Sequence, residues 1–294
     1  MSTKNAIVVA VDGSPASQTA VRWAAAAAAQ RRKTLHIAAF WDLLPMVPAA
    51  HDEAVRIALR GEASDNAEAA RKLAAEIAPE QPIEHAAHEG RPAEGLIAMS
   101  RDAAIIVMGA RGLGLLGGAL MGSVSAAVLG HATCPVVIVR EDMPLDAIAP
   151  DAPVVVGIDG SDNSRQAAEA AFLEADARGV AVHAVASWLD RNIYASPAAL
   201  HALSKHAEKL QAEQQAMLQK FLRGLSRRYP DIALQQIVSQ GAPADALADA
   251  AQTAQLLVVG SHGRGGFMST VLGSTSRALL HKSPCPLMVV RPQS

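Results

Sequence analysis

Two tandem α/β units, each an open sheet of five parallel strands with helices on both faces, are the fold class this sequence predicts. Three observations carry that expectation. The first is a duplication. Ile7-Val8-Val9-Ala10-Val11-Asp12-Gly13-Ser14 returns 147 residues later as Val154-Val155-Val156-Gly157-Ile158-Asp159-Gly160-Ser161, and Trp41 returns as Trp188. The offset is 151 between Gly90-Arg91-Pro92-Ala93-Glu94 and Gly241-Ala242-Pro243-Ala244-Asp245, and again between Cys134-Pro135-Val136-Val137-Ile138-Val139-Arg140 and Cys285-Pro286-Leu287-Met288-Val289-Val290-Arg291. A period of that length is a whole domain, not a solenoid repeat. The second observation is the alternation of short β-branched runs with alanine-rich helical stretches, the pattern of buried parallel strands joined by crossover helices. The third is composition. Hydrophobic residues make up 50% of the 294 and aromatics only 3%, so small side chains fill the core and let helices lie close on a sheet.

In the first copy, Ala6–Val11 reads as a buried strand. Ser14-Pro15 offers an N-cap and a proline at the first helical position, and Ala16–Arg31 follows as a helix. Thr34–Trp41 is a second strand and Asp52–Ala78 a long helix stopped by Pro79. Pro82–His88 is a third strand, Pro92–Arg101 a helix, Ala104–Gly109 a fourth strand, Gly122–His131 a helix and Pro135–Val139 a fifth strand. The second copy repeats this plan, with a longer second helix from about Pro197 to Arg228. The four extra residues fall between Trp188 and Gly241. Units of 1–141 and 153–294 are expected, joined by a linker, 142–152, that Pro144, Pro150 and Pro153 punctuate.

A net charge of −2 with few aromatic residues argues against a nucleic-acid footprint or a base-stacking platform. Two cysteines without a CxxC pair exclude a disulfide framework and a zinc knuckle, and fit a reducing compartment. No apolar run approaches the roughly 18 residues of a membrane span, and Asp12 interrupts the first apolar run, which therefore does not read as a signal peptide. A cytoplasmic protein without membrane insertion is the expectation.

The chemistry lies in a spacing. Gly109-Ala110-Arg111-Gly112 is followed by nine residues and then Gly122-Ser123; Gly260-Ser261-His262-Gly263 is followed by nine and then Gly273-Ser274. Glycines let backbone approach a ligand. The Gly-Ser pair opens a helix whose unpaired N–H groups and dipole favour an anion. Ser123 and Ser274 add hydroxyl donors, as Ser125 and Ser276 could, and Arg111, His262 and Arg264 add positive charge nearby. That set suits a polyphosphate. Asp12 and Asp159 each close a first strand. A strand order of 3-2-1-4-5 would put strands one and four side by side at the switch point where open α/β sheets bind ligands, with Asp12 opposite Gly109 and Asp159 opposite Gly260. A carboxylate there suits ribose hydroxyls or an adenine amine.

These residues resemble the universal stress protein family in its tandem-domain form. The Val-Asp-Gly-Ser segment, the Gly-x2-Gly-x9-Gly-Ser spacing and the closing Cys-Pro strand match twice, over nearly the whole chain. The resemblance implies an adenine-nucleotide α/β-hydrolase-like sheet in each unit and ATP binding, since the family branch that binds ATP carries this glycine motif. It implies that Asp12 and Asp159 hold the ribose or adenine. Gly109, Gly112, Gly122 and Ser123 would wrap the phosphates of one site, and Gly260, Gly263, Gly273 and Ser274 those of the other. Val124 and Thr275 would adjoin the phosphates, and Phe40 and Ser187 would meet adenine through their backbone. A divalent ion such as Mg2+ accompanies the phosphates in this family. Pairing of the units through the last strands, which protects sheet edges, further homodimerisation and a protein partner in stress signalling are also implied.

Bland readings stand beside these. Asp12 also reads as a turn residue, and Arg111 and His262 as solvated loop charges. Gly112-Leu113-Gly114-Leu115-Leu116-Gly117 matches a dinucleotide fingerprint but follows the fourth strand, not the first, and no Walker lysine occurs. His85 and His88, three apart on a strand, face opposite ways, and His201 and His206 are a poor helical pair. Trp41 and Trp188 shelter a base or cover a strand end. Cys134 and Cys285 read as small core residues. No catalytic constellation and no metal-ligand set appears. A sensor or regulator with two nucleotide sites is therefore expected, against a slow ATP hydrolase or nucleotidyl-transfer enzyme, or a structural adaptor rigidified by ATP.

Overall fold

The computed structural model describes residues 3–42, 53–112, 121–188, 207–263 and 272–292. The chain divides into two compact units, Met1–Met143 and Pro144–Ser294.

The first unit runs β1 (Ile7–Val11), α1 (Pro15–Arg31), β2 (Leu35–Trp41), α2 (Glu53–Ile77), β3 (Ile83–Glu89), α3 (Pro92–Met99), β4 (Ile105–Gly109), α4 (Ser123–His131) and β5 (Val136–Val139). Its strands are ordered β3-β2-β1-β4-β5 and each pairs its neighbour in parallel. The second unit begins with a short 3-10 turn, Leu145–Ala147, inside the expected linker. It continues with β6 (Val154–Gly157), α5 (Asp162–Arg178), β7 (Val182–Ser187), α6 (Ala207–Arg228), β8 (Leu234–Ser239), α7 (Pro243–Ala250), β9 (Leu256–Gly260), α8 (Ser274–Lys282) and β10 (Leu287–Val290). Its order, β8-β7-β6-β9-β10, repeats the first. The expected mixed α/β class with parallel sheets is what the structure shows. Asp52 and the expected helical stretch from Pro197 to His206 lie outside the described residues.

The local chemistry explains these elements. Ser14 caps α1, its hydroxyl accepting from Ser17 N at 3.2 Å, and Pro15 occupies the first turn, where its missing N–H costs nothing. Ser161 caps α5 in the same way, accepting from Ser164 N at 3.1 Å. Both helices end in a left-handed residue, Gly179 in α5 and Arg32 in α1. The central strands are buried on both faces, as parallel strands covered by helices must be. Ile7, Leu35, Ile37, Ile105 and Ile106 are fully buried, each stabilising the fold by about 1.5–3 kcal/mol relative to exposure. Onto the first unit's strands pack the alanine faces of α1 (Ala20, Ala24, Ala27 and Ala28) and α2 (Ala63, Ala67, Ala70 and Ala74), and onto β6 and β9 of the second unit packs that of α5 (Ala167, Ala168, Ala171 and Ala175). No helix among the described residues is long and apolar enough to cross a membrane.

His85 and His88 part to opposite faces of β3, as their spacing requires. His85 reaches Glu68 of α2 at 3.4 Å, whereas the His88 ring lies 5.3 Å from that of Phe40 and 5.9 Å from that of His36. His201 and His206 are outside the described residues. Cys134 and Cys285 are buried and unbridged, and burial pushes the Cys134 thiol up to about 12.

Candidate functional site

Because β1 lies between β2 and β4, and the chain leaves it in one direction for β2 and later returns on the other side for β4, the loops after β1 and β4 open beside each other. The register Val9↔Val107 brings Val11 level with Gly109, one residue short of Asp12. In the second unit Val156↔Val258 brings Ile158 level with Gly260. The aspartates are therefore not directly opposite the first glycine of the motif, as the sequence suggested, but opposite the residue after it.

What faces each aspartate is the second motif glycine. A methyl group built on Gly112 would stand 2.3 Å from Asp12 Oδ2, and one on Gly263 would stand 2.4 Å from Asp159 Oδ2. These glycines are required because the strand-one carboxylate occupies the space of their side chain. The other carboxylate oxygen is held from within its own turn. Asp12 Oδ1 accepts from Ser14 N at 3.1 Å and from Ser14 Oγ at 2.6 Å. Asp159 Oδ1 accepts from Ser161 N at 2.9 Å and from Ser161 Oγ at 2.6 Å. Gly13 and Gly160, between the partners, have φ of +81° and +83°, a region that favours glycine. One serine thus orients the acidic side chain and caps the following helix.

The first motif glycine meets the helix that follows strand one. A methyl group on Gly109 would lie 3.0 Å from Ala16, and one on Gly260 would lie 2.9 Å from the Asn163 amide. The third differs. A methyl group on Gly122 would find nothing nearer than 3.7 Å, and one on Gly273 nothing nearer than 3.3 Å. Gly122 and Gly273 are the N-caps of α4 and α8 and carry no side-chain cap. Neither helix has an acidic residue in its first turn. Their opening N–H groups and the positive end of the helix dipole are therefore suited to an anion. Ser123 and Ser274 are exposed at the first helical position, and Val124 and Thr275, half-buried, follow them.

Ser125 and Ser276 stand apart from the expected donor set. Each is buried. Ser125 Oγ donates to Gly109 O at 3.0 Å, and Ser276 Oγ to Gly260 O at 2.7 Å. A hydroxyl has one hydrogen, so these serines fasten the helix to the end of the fourth strand and do not present a donor to a ligand in this conformation. Phe40 is level with Asp12 and Ser187 with Asp159, by the registers Val11↔Ala39 and Gly157↔Val185. The Phe40 ring, however, packs on Gly95 of α3 and beside His88, and the Ser187 hydroxyl donates to Gly241 O. Both side chains are thus engaged within the fold. Trp41 is buried under the Arg56 guanidinium, 5.6 Å from its ring.

Arg111 and His262 hold the same motif position. Arg111 is exposed, and with Arg140 its charge helps to hold the Asp142 carboxyl below the usual carboxylate range, Arg140 dominating. His262 is half-buried and belongs to a polar row that the sequence reading missed. Asn163 Nδ2 donates to His262 O at 3.0 Å and to Ser261 Oγ at 3.2 Å, and Ser261 Oγ lies 3.1 Å from His262 Nδ1. The signal was present in the duplication: the equivalents of Asn163 and Ser261 are Ala16 and Ala110. Among the described residues no cluster of three or more His, Cys, Asp or Glu side chains is placed to hold a metal ion.

The arrangement defines a class: tandem α/β units, each with a carboxylate, a glycine loop and an uncapped helix N-terminus converging at the carboxyl end of a parallel sheet. Comparison with known proteins identifies the lineage. The family model described as the universal stress protein family matches residues 4–140 and again residues 152–291. A universal stress protein of Mycobacterium tuberculosis is 39% identical over 307 aligned residues, covering 98% of this chain and 96% of the relative. One from Mycolicibacterium smegmatis is 37% identical, covering 99% and 98%. The solved structure of a universal stress protein from Archaeoglobus fulgidus covers 99% of both chains with a TM-score of 0.66 at 21% identity, a likeness of fold. The chain belongs to the universal stress protein family.

Proposed function

We propose that this chain is an ATP-binding universal stress protein with two nucleotide sites, acting as a sensor or regulator in a stress response. The observation that carries the reading is the duplicated contact of Gly112 with Asp12 and of Gly263 with Asp159, each beside an uncapped helix start. The carboxylate favours sugar hydroxyls or the adenine amine, and the helix N–H groups favour phosphate oxygens, so each site has a nucleoside end and a phosphate end. The near-neutral charge of the chain makes the attraction local, from helix ends and from Arg111 or His262. The residues present fit a Mg2+ that arrives with the phosphates and keeps its waters, a mode that needs no dedicated protein cage. When bound, such an ion neutralises phosphate charge. The protein's own part is to orient the carboxylate through Ser14 or Ser161 and to fix the loop through Ser125 or Ser276.

The test is titration of full-length protein with MgATP by calorimetry and thermal shift, together with mass spectrometry of nucleotide released from the purified chain. Two ATP equivalents per chain and a rise in unfolding midpoint with ligand concentration are expected. Absence of both heat and stabilisation at millimolar MgATP refutes the reading.

A further inference from the structure

The duplication is an internal comparison, and three of the differences between the two sites belong to one contact row of the second unit. Where the first unit has Ala16, Ala110 and Arg111, the second has Asn163, Ser261 and His262. Ala16 and Ala110 are buried apolar residues; Asn163 and Ser261 are buried polar ones, Ser261 completely. Burying an amide and a hydroxyl is costly unless they are hydrogen-bonded. The first unit keeps the same fold with alanine at both positions, so the fold does not require these polar groups. Their hydrogen bonds run to the backbone and ring of His262.

The row offers the imidazole a defined partner at Nδ1. Asn163 gives both amide hydrogens, one to His262 O and one to Ser261 Oγ. Its carbonyl Oδ1 is left buried without a partner. The His262 carbonyl fixes the amide orientation, because the reversed amide would set one carbonyl oxygen against another. Ser261 Oγ accepts from Asn163 and keeps its own hydrogen for His262 Nδ1, 3.1 Å away. With that hydrogen donated to Nδ1, the neutral ring carries its own on Nε2. When the ring gains a proton, Nδ1 donates to Ser261 Oγ, whose second lone pair accepts it. The ring is held in one orientation in either charge state. Among the described residues, Asn163 from α5 and Ser261 from the end of β9 contact His262, and Asp159 from the end of β6 lies against the neighbouring Gly263.

We propose that the two nucleotide sites are inequivalent: the Asn163–Ser261–His262 row presents an imidazole to the phosphates of the second site and makes binding there pH-dependent, whereas Arg111 keeps the first site's charge constant. The proposal rests on the reading of both loops as nucleotide sites. A guanidinium stays charged throughout the physiological range, and an imidazole does not. A charged imidazole would give a phosphate a charge-assisted hydrogen bond, and a neutral one an ordinary hydrogen bond. The terminal phosphate of the ligand ionises in the same range, but that change acts on both sites. The first site is therefore the control for the second.

The experiment uses full-length protein with one site closed at a time: Asp12→Ala with Gly112→Val, or Asp159→Ala with Gly263→Val. MgATP affinity is measured by calorimetry from pH 5.5 to 8.5 at constant ionic strength. The ratio of second-site to first-site affinity is expected to fall about fivefold across that range, and His262→Arg is expected to flatten it. Asn163→Ala with Ser261→Ala, which installs the first unit's residues, should weaken the second site and change its pH profile. Independently of nucleotide, 15N NMR of the unaltered protein should find neutral His262 protonated at Nε2 and not at Nδ1. Parallel pH profiles for the two sites, or the Nδ1–H tautomer, overturn the proposal while leaving ATP binding intact. Failure of either single-site protein to bind, with the unaltered chain also silent, removes the nucleotide reading and this proposal together.

Discussion

At the level of single residues, the three motif glycines are glycine for three different reasons. Gly109 lets α1 pack on the end of β4, and Gly112 makes room for the Asp12 carboxylate. Among the described residues Gly122 has no neighbour that a methyl group would strike, and its φ of −69° is open to any residue. Gly122→Ala is therefore expected to lose only about 0.5–1 kcal/mol of stability, the cost of a poorer N-cap, while weakening ATP at the first site at least tenfold. Gly112→Val should do both, because a branched side chain must displace Asp12. Urea denaturation and calorimetry on the two variants separate these effects. Equal destabilisation by both would contradict the assignment. The sequence spacing marked all three glycines without ranking them, because it cannot show which neighbour occupies the missing side chain's place. For the same reason Ser125 and Ser276 read as ligand donors, although their hydroxyls are committed to strand-end carbonyls.

At the level of elements, the capping chemistry was legible, since Ser14-Pro15 and Ser161 signal helix starts by their own donors and acceptors. A buried ion pair was not. On α5, Glu174 and Arg178 are four apart and would read as an ordinary surface pair, yet Glu174 is fully buried and Arg178 nearly so. Arg178 reaches Glu174 Oε2 at 3.2 Å and Gln255 Oε1 at 3.2 Å, and Gln255 in turn donates to Pro150 O at 2.6 Å. The row ties α5 to the start of β9 and to the segment before β6. At the corresponding places α1 has Ala27 and Arg31, so this tie belongs to the second unit alone. Removing one partner of a buried pair costs about 3–5 kcal/mol, because the other charge stays in the interior. Glu174→Ala should therefore lower the second unit's unfolding midpoint steeply, whereas Ala27→Gly in α1 costs only about 1 kcal/mol of helix propensity. Circular dichroism melts of both variants provide the comparison.

At the scale of the whole molecule, the parallel α/β plan was legible because alternating runs, caps and duplication all agree. Its acid response was not, since it depends on which histidines are inside. His36 is buried with both ring nitrogens lacking a hydrogen bond. Glu84 Oε2, 3.5 Å from Nδ1, is too far for one. Burial pushes the His36 imidazole down, with Glu84 pulling part of the way back. Burial also lowers His88, and the neighbouring His36 adds to it. His183 in the second unit is lowered by burial as well. A histidine lowered in the folded state binds fewer protons there than when unfolded. Its stabilising contribution is then complete above the unfolded value near 6.5 and is lost as pH falls below it. The denaturation midpoint should fall between pH 7.5 and 5.5, and His36→Phe, which keeps a ring of similar size, should flatten part of that fall. A midpoint that does not move over this interval contradicts the account.

The alanine faces of α1, α2 and α5 bear on temperature as well as on spacing. An alanine freezes no rotamer when it packs, so ordering these helices forfeits less entropy than leucine-faced helices would. It also hides less hydrocarbon from water, and the rise in heat capacity on unfolding scales with that hidden surface. Folding of this protein relies more on having little freedom to lose and less on burying bulk. Its stability should consequently vary gently with temperature, a broad dome in place of a sharp one.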